Sequence, residues 1–383
     1  MIKKLFISGC ILVMLCSCAK TANELNQQAY EAYGRGDYST AFELFTKAAE
    51  QENTEACRNL GQLYAEGKGV NQSAEKAVEY YGKAIEGGDS IAILLLAECY
   101  ENGNVVNKDI PKMLSLYEKS VEMGNNTVCG KIANIYFRGI GTDVDYQKAV
   151  NMAKKGLELN DPTCQAIIGF FMMEGNYGIK QNTDSATVLL KAALDGESAL
   201  GMALLGTKCL SEDTKRGLDY IEKAIQEGEP FGLYARAYGY YLGYPRASFQ
   251  TAHKYYQEAA DKGCVRAIYS DGELLESCLL QPKGAFGLYE KAAERGDADA
   301  ISMVGYMYLN GIVRVKKSEE KSFEYFQKAA EKGSHLGYAN LGWCYETGQG
   351  VDKNKEKAIE YYEKAIEQGD PWYSQKRLQT LKK

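Results

Sequence analysis

The 383-residue sequence predicts an all-α protein, a right-handed α-solenoid built from stacked helical hairpins. Three observations carry that prediction. In the stretch from Ala339 to Gly369, Ala339, Gly342 and Tyr345 recur at three-residue steps beside Leu341. Ala358, Tyr361, Tyr362, Ala365 and Ile366 then recur at three and four, the period of a helix with one buried face. Between the two runs stand Gly348 and Gly350, which suit a chain leaving a helix through a left-handed conformation that a side chain would penalise. The third observation is recurrence. The closing positions Glu52, Gly88, Gly124, Asn160, Gly196, Gly228, Gly263, Gly296, Gly333 and Gly369 lie 36, 36, 36, 36, 32, 35, 33, 37 and 36 residues apart. Each hairpin is too small to bury its apolar stripe alone and must lean on its neighbours, so the expected product is a curved surface rather than a pocketed globule.

Residues 1–17 read as a processing segment. Lys3 and Lys4 precede an apolar run, Leu5 to Leu15, that is too short to span a bilayer. Its end, Leu15-Cys16-Ser17-Cys18, resembles the bacterial lipobox, which implies that Cys18 is lipidated and becomes the mature N-terminus, with residues 18–23 as a short lipidated tether. Ala19 after the cysteine resembles the outer-membrane sorting choice. The expected location is therefore the bacterial cell envelope, as an outer-membrane lipoprotein facing the periplasm or the surface, with the membrane as a partner through the lipid. An ordinary cleaved signal with a soluble product is the alternative.

Without residues 1–17 the chain holds 43 basic and 51 acidic residues, a formal charge of −8, which argues against a nucleic-acid partner because that needs a basic face to displace counterions. The charges are interspersed, and six prolines with 45% apolar residues argue against disorder.

Residues 24–53 form the first hairpin. Gly36-Asp37-Tyr38, Ala41, Phe45 and Ala48 resemble a plain tetratricopeptide repeat with a tight turn, suited to capping the stack. From residue 54 the pattern changes. Leu60-Gly61-Gln62-Leu63-Tyr64-Ala65-Glu66-Gly67-Lys68-Gly69-Val70, followed by Lys76-Ala77, Tyr80-Tyr81 and Lys83-Ala84, resembles the Sel1-like repeat, a longer-looped relative of the tetratricopeptide repeat. Nine such copies are expected over 54–369. The third has Ile132-Ala133 in place of Leu-Gly, the fifth (Leu204 to Lys223) and seventh (Asp271 to Lys291) have shortened loops, and the sixth carries Arg236-Ala237. Residues 370–383 read as a lone first helix that closes the other end with Gln375, Lys376, Arg377, Lys382 and Lys383 outward.

Ser73, Asp145, Asp184 and Ser318 stand where an N-cap oxygen can serve the second helix of a repeat. Two of them open Ser-x-x-Lys, a spacing also used by serine acylases, but Lys-Thr-Gly and Ser-Asp-Asn are absent and capping is the better reading. With two histidines, His253 and His335, and no metalloprotease, phosphate-loop or nucleophile-elbow motif, the chain is not expected to be an enzyme or to need a cofactor or metal. Eight further cysteines, Cys57, Cys99, Cys129, Cys164, Cys209, Cys264, Cys278 and Cys344, do not recur with the repeat. Buried free thiols are favoured over disulfides.

The resemblance implies that first helices line a concave face. Relative to the small-residue slot of each repeat, positions −1, +2, +6 and +9 make one stripe by helical spacing. Through repeats one to three it is mostly polar or small, and then it becomes aromatic: Phe170 in the fourth, Phe231, Tyr234, Tyr238 and Tyr241 in the sixth, Tyr269 in the seventh, Tyr306 in the eighth and Trp343 in the ninth. Rings on a rigid face supply contact area with little entropy to lose, so these eight are the candidate binding residues. The same rings also suit packing between repeats. The resulting functional expectation is a lipid-anchored envelope scaffold or adaptor gripping a protein or peptide, the role that the resemblance implies. The alternative is an envelope glycan or peptidoglycan binder using the same aromatic face.

Overall fold

The computed structural model describes residues 20–311, 316–370 and 372–382. The expected processing segment and Cys18 lie outside the described residues. Among those residues the chain forms 21 α-helices, one short 3-10 turn at Asn126–Val128 and no strand. It divides into two compact units, residues 1–125 and 126–383.

The first unit holds three hairpins: α1 (Ala22–Gly34) with α2 (Tyr38–Ala49), α3 (Thr54–Glu66) with α4 (Ala74–Glu86), and α5 (Ser90–Asn102) with α6 (Ile110–Glu122). The second begins with α7 (Cys129–Arg138) and α8 (Tyr146–Leu157), α9 (Pro162–Glu174) and α10 (Thr183–Asp195), and α11 (Ala199–Cys209) and α12 (Thr214–Gln226). It continues with α13 (Pro230–Leu242) and α14 (Phe249–Asp261), α15 (Val265–Ser277) and α16 (Pro282–Glu294), α17 (Ala298–Asn310) and α18 (Glu319–Glu331), and α19 (His335–Thr347) and α20 (Lys355–Glu367). The lone α21 (Tyr373–Leu381) follows. Odd-numbered helices are the first of each pair, so the all-α architecture of stacked hairpins is the one expected.

Local chemistry places the helix ends. Thr21 and Glu24 form a reciprocal capping box, which starts α1 at Ala22, inside the stretch expected to be tether. Ser73, Asp145 and Ser318 accept the N–H of Lys76, Lys148 and Lys321, as expected of caps. Asp184 does not cap. That place belongs to Asn182, whose side chain accepts the Ser185 N–H at 3.0 Å, while Asp184 sits in the first turn, where its charge favours the positive end of the helix. The closing position of the fourth repeat also shifts by one. Gly196 has φ −87° and Glu197 takes the left-handed conformation at φ +60°. Gly196 is small for another reason, since a Cβ there would sit 2.4 Å from Cγ of Pro162.

Within the hairpins one contact recurs. A Cβ on Gly61, Gly272, Gly305 or Gly342 would lie 2.7, 2.7, 2.9 and 2.7 Å from the ring of Tyr81, Tyr289, Phe326 or Tyr362. The glycine of the first helix is therefore the seat of the aromatic ring of the second, and the two helices cross as closely as that ring allows. At the turn, Gly350 (φ +70°) lets the carbonyl of Glu319 approach to where a Cβ would be 2.3 Å away.

The second unit curls back on itself. Val144 N–H donates to the carbonyl of Arg295 at 2.8 Å, and the Tyr146 hydroxyl donates to Asp297 at 3.2 Å, across 151 positions of sequence. A Cβ on Gly369 would meet the carbonyl of Gly175 at 2.0 Å. Hairpins far apart in the chain are thus in contact, and the inner face of this unit is partly filled by its own side chains instead of forming an open surface. The eight described cysteines carry free thiols, six of them buried.

Candidate functional site

The eight stripe residues separate into two sets. Phe170, Phe231, Tyr234 and Tyr269 are buried, between 2% and 6% exposed, whereas Tyr241 and Tyr306 are 40% and 43% exposed and Tyr238 and Trp343 are half-buried. Phe170 and Phe231 meet edge to face at 6.1 Å, and Phe231 stacks on Phe137 at 4.9 Å. These two rings are core. Their contacts with Phe137 and with each other remove them from water.

From Phe231 the ring contacts continue along α13 to Tyr234 (5.5 Å), then to Tyr238 (6.4 Å) and Tyr241 (6.0 Å). The last three rings stand four and three residues apart on one helical face and lie nearly parallel, with interplanar angles of 6° and 29°. This tyrosine ladder lines a cavity of about 550 Å³, whose other walls carry Glu174, Arg266, Ser270, Glu273, Glu276 and Tyr289. The volume falls within the range of small-ligand pockets, about 300–1,000 Å³.

Arg266 organises the polar wall. It is 8% exposed, donates to Glu174 at 2.8 Å and to Asp299 at 3.1 Å, and lies 4.9 Å from the ring centre of Tyr269. Burial opposes its charge, but Glu174, Tyr234 and Asp299 outweigh that and hold the guanidinium protonated. Asp299 is held in turn by the Ser334 hydroxyl at 2.9 Å. Glu273 accepts the Tyr269 hydroxyl at 3.1 Å, and Glu276 accepts that of Tyr289 at 2.9 Å. Crowding by protein atoms pushes the Glu273 carboxyl up to about 7, with Arg266 and Tyr269 pulling the other way and Asp299 and Glu174 adding to the rise. Its side chain still meets the water of the cavity, which tempers the push.

Tyr306 and Trp343 lie elsewhere in the unit. They line a second cavity of about 370 Å³ with Tyr373, Asn310, Asn340 and Lys317. Tyr269 belongs to the wall of the first cavity only through the hydroxyl it gives to Glu273. The aromatic stripe is accordingly a buried core segment and two separate cavities.

Aromatic character alone does not single out Arg266, Glu273, Glu276 and Glu174 in the sequence. Three of them occupy the −1, +6 and +9 slots of the seventh repeat, the register that located Tyr269 at +2. The signal was present, but alternating acid and base on a helix ordinarily marks a solvated face.

A stack of helix pairs whose first helices line a polar and aromatic inner wall defines the class of α-solenoid repeat proteins. The sequence matches the Sel1 repeat model over 29–53, 54–89, 90–125, 129–161, 195–229, 230–264, 268–297, 298–334 and 335–370, most of its length, and the chain belongs to that family. The matched segments include the first hairpin from residue 29, and the hairpin of α9 and α10 falls outside them up to its last residue, Asp195. Repeats of this kind generally mediate contact between proteins. No curated protein matches the sequence. Among solved structures, c5321, a protective antigen of uropathogenic Escherichia coli strains with an SLR fold, is 22% identical, with 94% of this chain and 80% of that one covered at a TM-score of 0.45. A Sel1 repeat protein from Oxalobacter formigenes is 21% identical, with 96% and 92% covered at 0.38. Human IFIT1, solved as a dimer with PPP-AAAA, is 18% identical, with 94% and 81% covered at 0.45.

Proposed function

We propose that this protein is a scaffold of the bacterial cell envelope, anchored to the outer membrane by a lipid on Cys18, that holds a segment of a partner protein in the cavity beside the tyrosine ladder. The supporting observation is the cavity itself, because Tyr238 and Tyr241 keep accessible surface there while Phe231, further along the same row, is locked into the core. A rigid row of rings of which one end is fixed and the other open presents contact area already ordered before binding. Family membership supports the same class of role.

The test is affinity capture from native envelope extract, comparing the parent with a Tyr238→Ala, Tyr241→Ala variant that keeps its helical circular dichroism. A partner retained by the parent and lost by the variant supports the reading, and equal capture by both refutes the cavity as the site. For the anchor, cells fed radiolabelled palmitate should label the parent and leave Cys18→Ser unlabelled. Absence of label on the parent refutes lipidation.

A second reading rests on the other cavity, where Tyr306, Trp343 and Tyr373 accompany the amides of Asn310 and Asn340. Rings beside hydrogen-bonding amides suit a sugar, and an envelope glycan is the corresponding ligand. Sedimentation with purified cell-wall glycan, lost on Trp343→Ala, supports it.

A further inference from the structure

The cavity beside the tyrosine ladder is unbalanced in charge. Among the described residues Arg266 is the one cation on its wall, and its two amino groups are already taken by Glu174 and Asp299. Glu273 and Glu276 are left with neutral partners, the hydroxyls of Tyr269 and Tyr289. Four carboxylates thus share one guanidinium, and three of the four line the cavity.

We propose that the cavity receives a lysine or arginine side chain of a bound peptide segment, its aliphatic stem packed beside Tyr238 and Tyr241 and its cationic head paired with Glu273 and Glu276. This rests on the reading that the inner wall binds a protein segment, and it names the chemistry of that segment. An acidic or purely apolar segment would leave these carboxylates with less water and no countercharge, which is costly, whereas a cation supplies the missing charge. The net charge of −6 over the whole chain favours the approach of a basic segment as well.

The experiment is selection of a displayed library of random twelve-residue peptides on the immobilised full-length protein. Parallel selections use Tyr238→Ala, a Glu273→Gln, Glu276→Gln double variant, and Glu222→Gln, an exposed acid on α12 away from the cavity. Each variant is first shown to melt like the parent. Enriched peptides are then titrated by calorimetry, with every basic residue replaced in turn by citrulline or N-acetyl-lysine. The expected result is enrichment of peptides with lysine or arginine, binding at least tenfold weaker to Tyr238→Ala and to the double glutamine variant, unchanged on Glu222→Gln, and at least tenfold weaker after neutralisation of one basic residue. Peptides without a required basic residue whose binding still falls on Tyr238→Ala would overturn the charge inference and leave the peptide-binding reading standing. No enrichment, or binding equal on the parent and all variants, would overturn both.

Discussion

Replacing Phe231 by alanine separates a binding ring from a packing ring. Phe231 is 2% exposed and touches Phe137, Phe170 and Tyr234 at 4.9, 6.1 and 5.5 Å between ring centres. Truncating a buried phenylalanine costs about 3–5 kcal/mol from lost transfer and the cavity left behind. Three ring contacts, each worth about 0.5–1.5 kcal/mol beyond area, place this site toward the upper end. For a unit of this size about 1 kcal/mol moves the melting temperature by 2–4 °C, so the expected fall is roughly 6–20 °C. Tyr241→Ala, at the open end of the same stripe, should cost about 1 kcal/mol or less. The assay is thermal and urea unfolding followed by circular dichroism and by tryptophan fluorescence, since a repeat array need not unfold in one step and the two probes test that. A Phe231→Ala variant that melts within about 3 °C of the parent would refute the assignment of this ring to the core.

Three other outcomes follow from the same geometry. Gly342→Ala drives a methyl toward Cδ1 of Tyr362 at 2.7 Å and should destabilise by about 1–3 kcal/mol, read as a lowered urea midpoint; an unchanged midpoint would show that the ring yields freely. Arg266→Met leaves buried Asp299 and its neighbour Glu174 without their cation and should cost about 3–5 kcal/mol, part of which Asp299→Asn in the same chain restores; equal stability of the single and double variants would contradict the pairing. Asp297 is buried against Tyr146, and burial, then Asp299, pushes its carboxyl up to about 6, above its unfolded value, while Arg266 opposes. The folded state therefore binds this proton more tightly than the unfolded chain, so this group contributes stability at low pH that is lost as pH rises through the folded value. Asp297→Asn, which keeps an acceptor for Ala300 N–H, should gain on the parent between pH 4 and pH 7, and a pH-independent difference in urea stability would refute the shift.

The hairpins were legible because they are local. Periodicity of three and four, a cap oxygen three residues before its N–H, and in four hairpins a glycine under a ring act within some twenty residues, so each repeat announces itself independently of its neighbours. Where a second local solution competes, the helix end lies one or two residues from the position that the pattern suggests, at Asn182 rather than Asp184 and at Glu197 rather than Gly196. Register along the first helices was legible too, since Arg266, Tyr269, Glu273 and Glu276 share one stripe in sequence and in space.

What the tertiary structure alone decided is which members of that stripe face a cavity and which face one another. That depends on how far the stack turns from one hairpin to the next, a small angle whose effect accumulates until Tyr146 reaches Asp297 and Gly175 reaches Gly369. Contacts at such separations have no periodic trace in the chain. Phe231 and Tyr241 carry the same aromatic signal ten residues apart, yet the curl of the second unit seals the first into the core and leaves the second exposed.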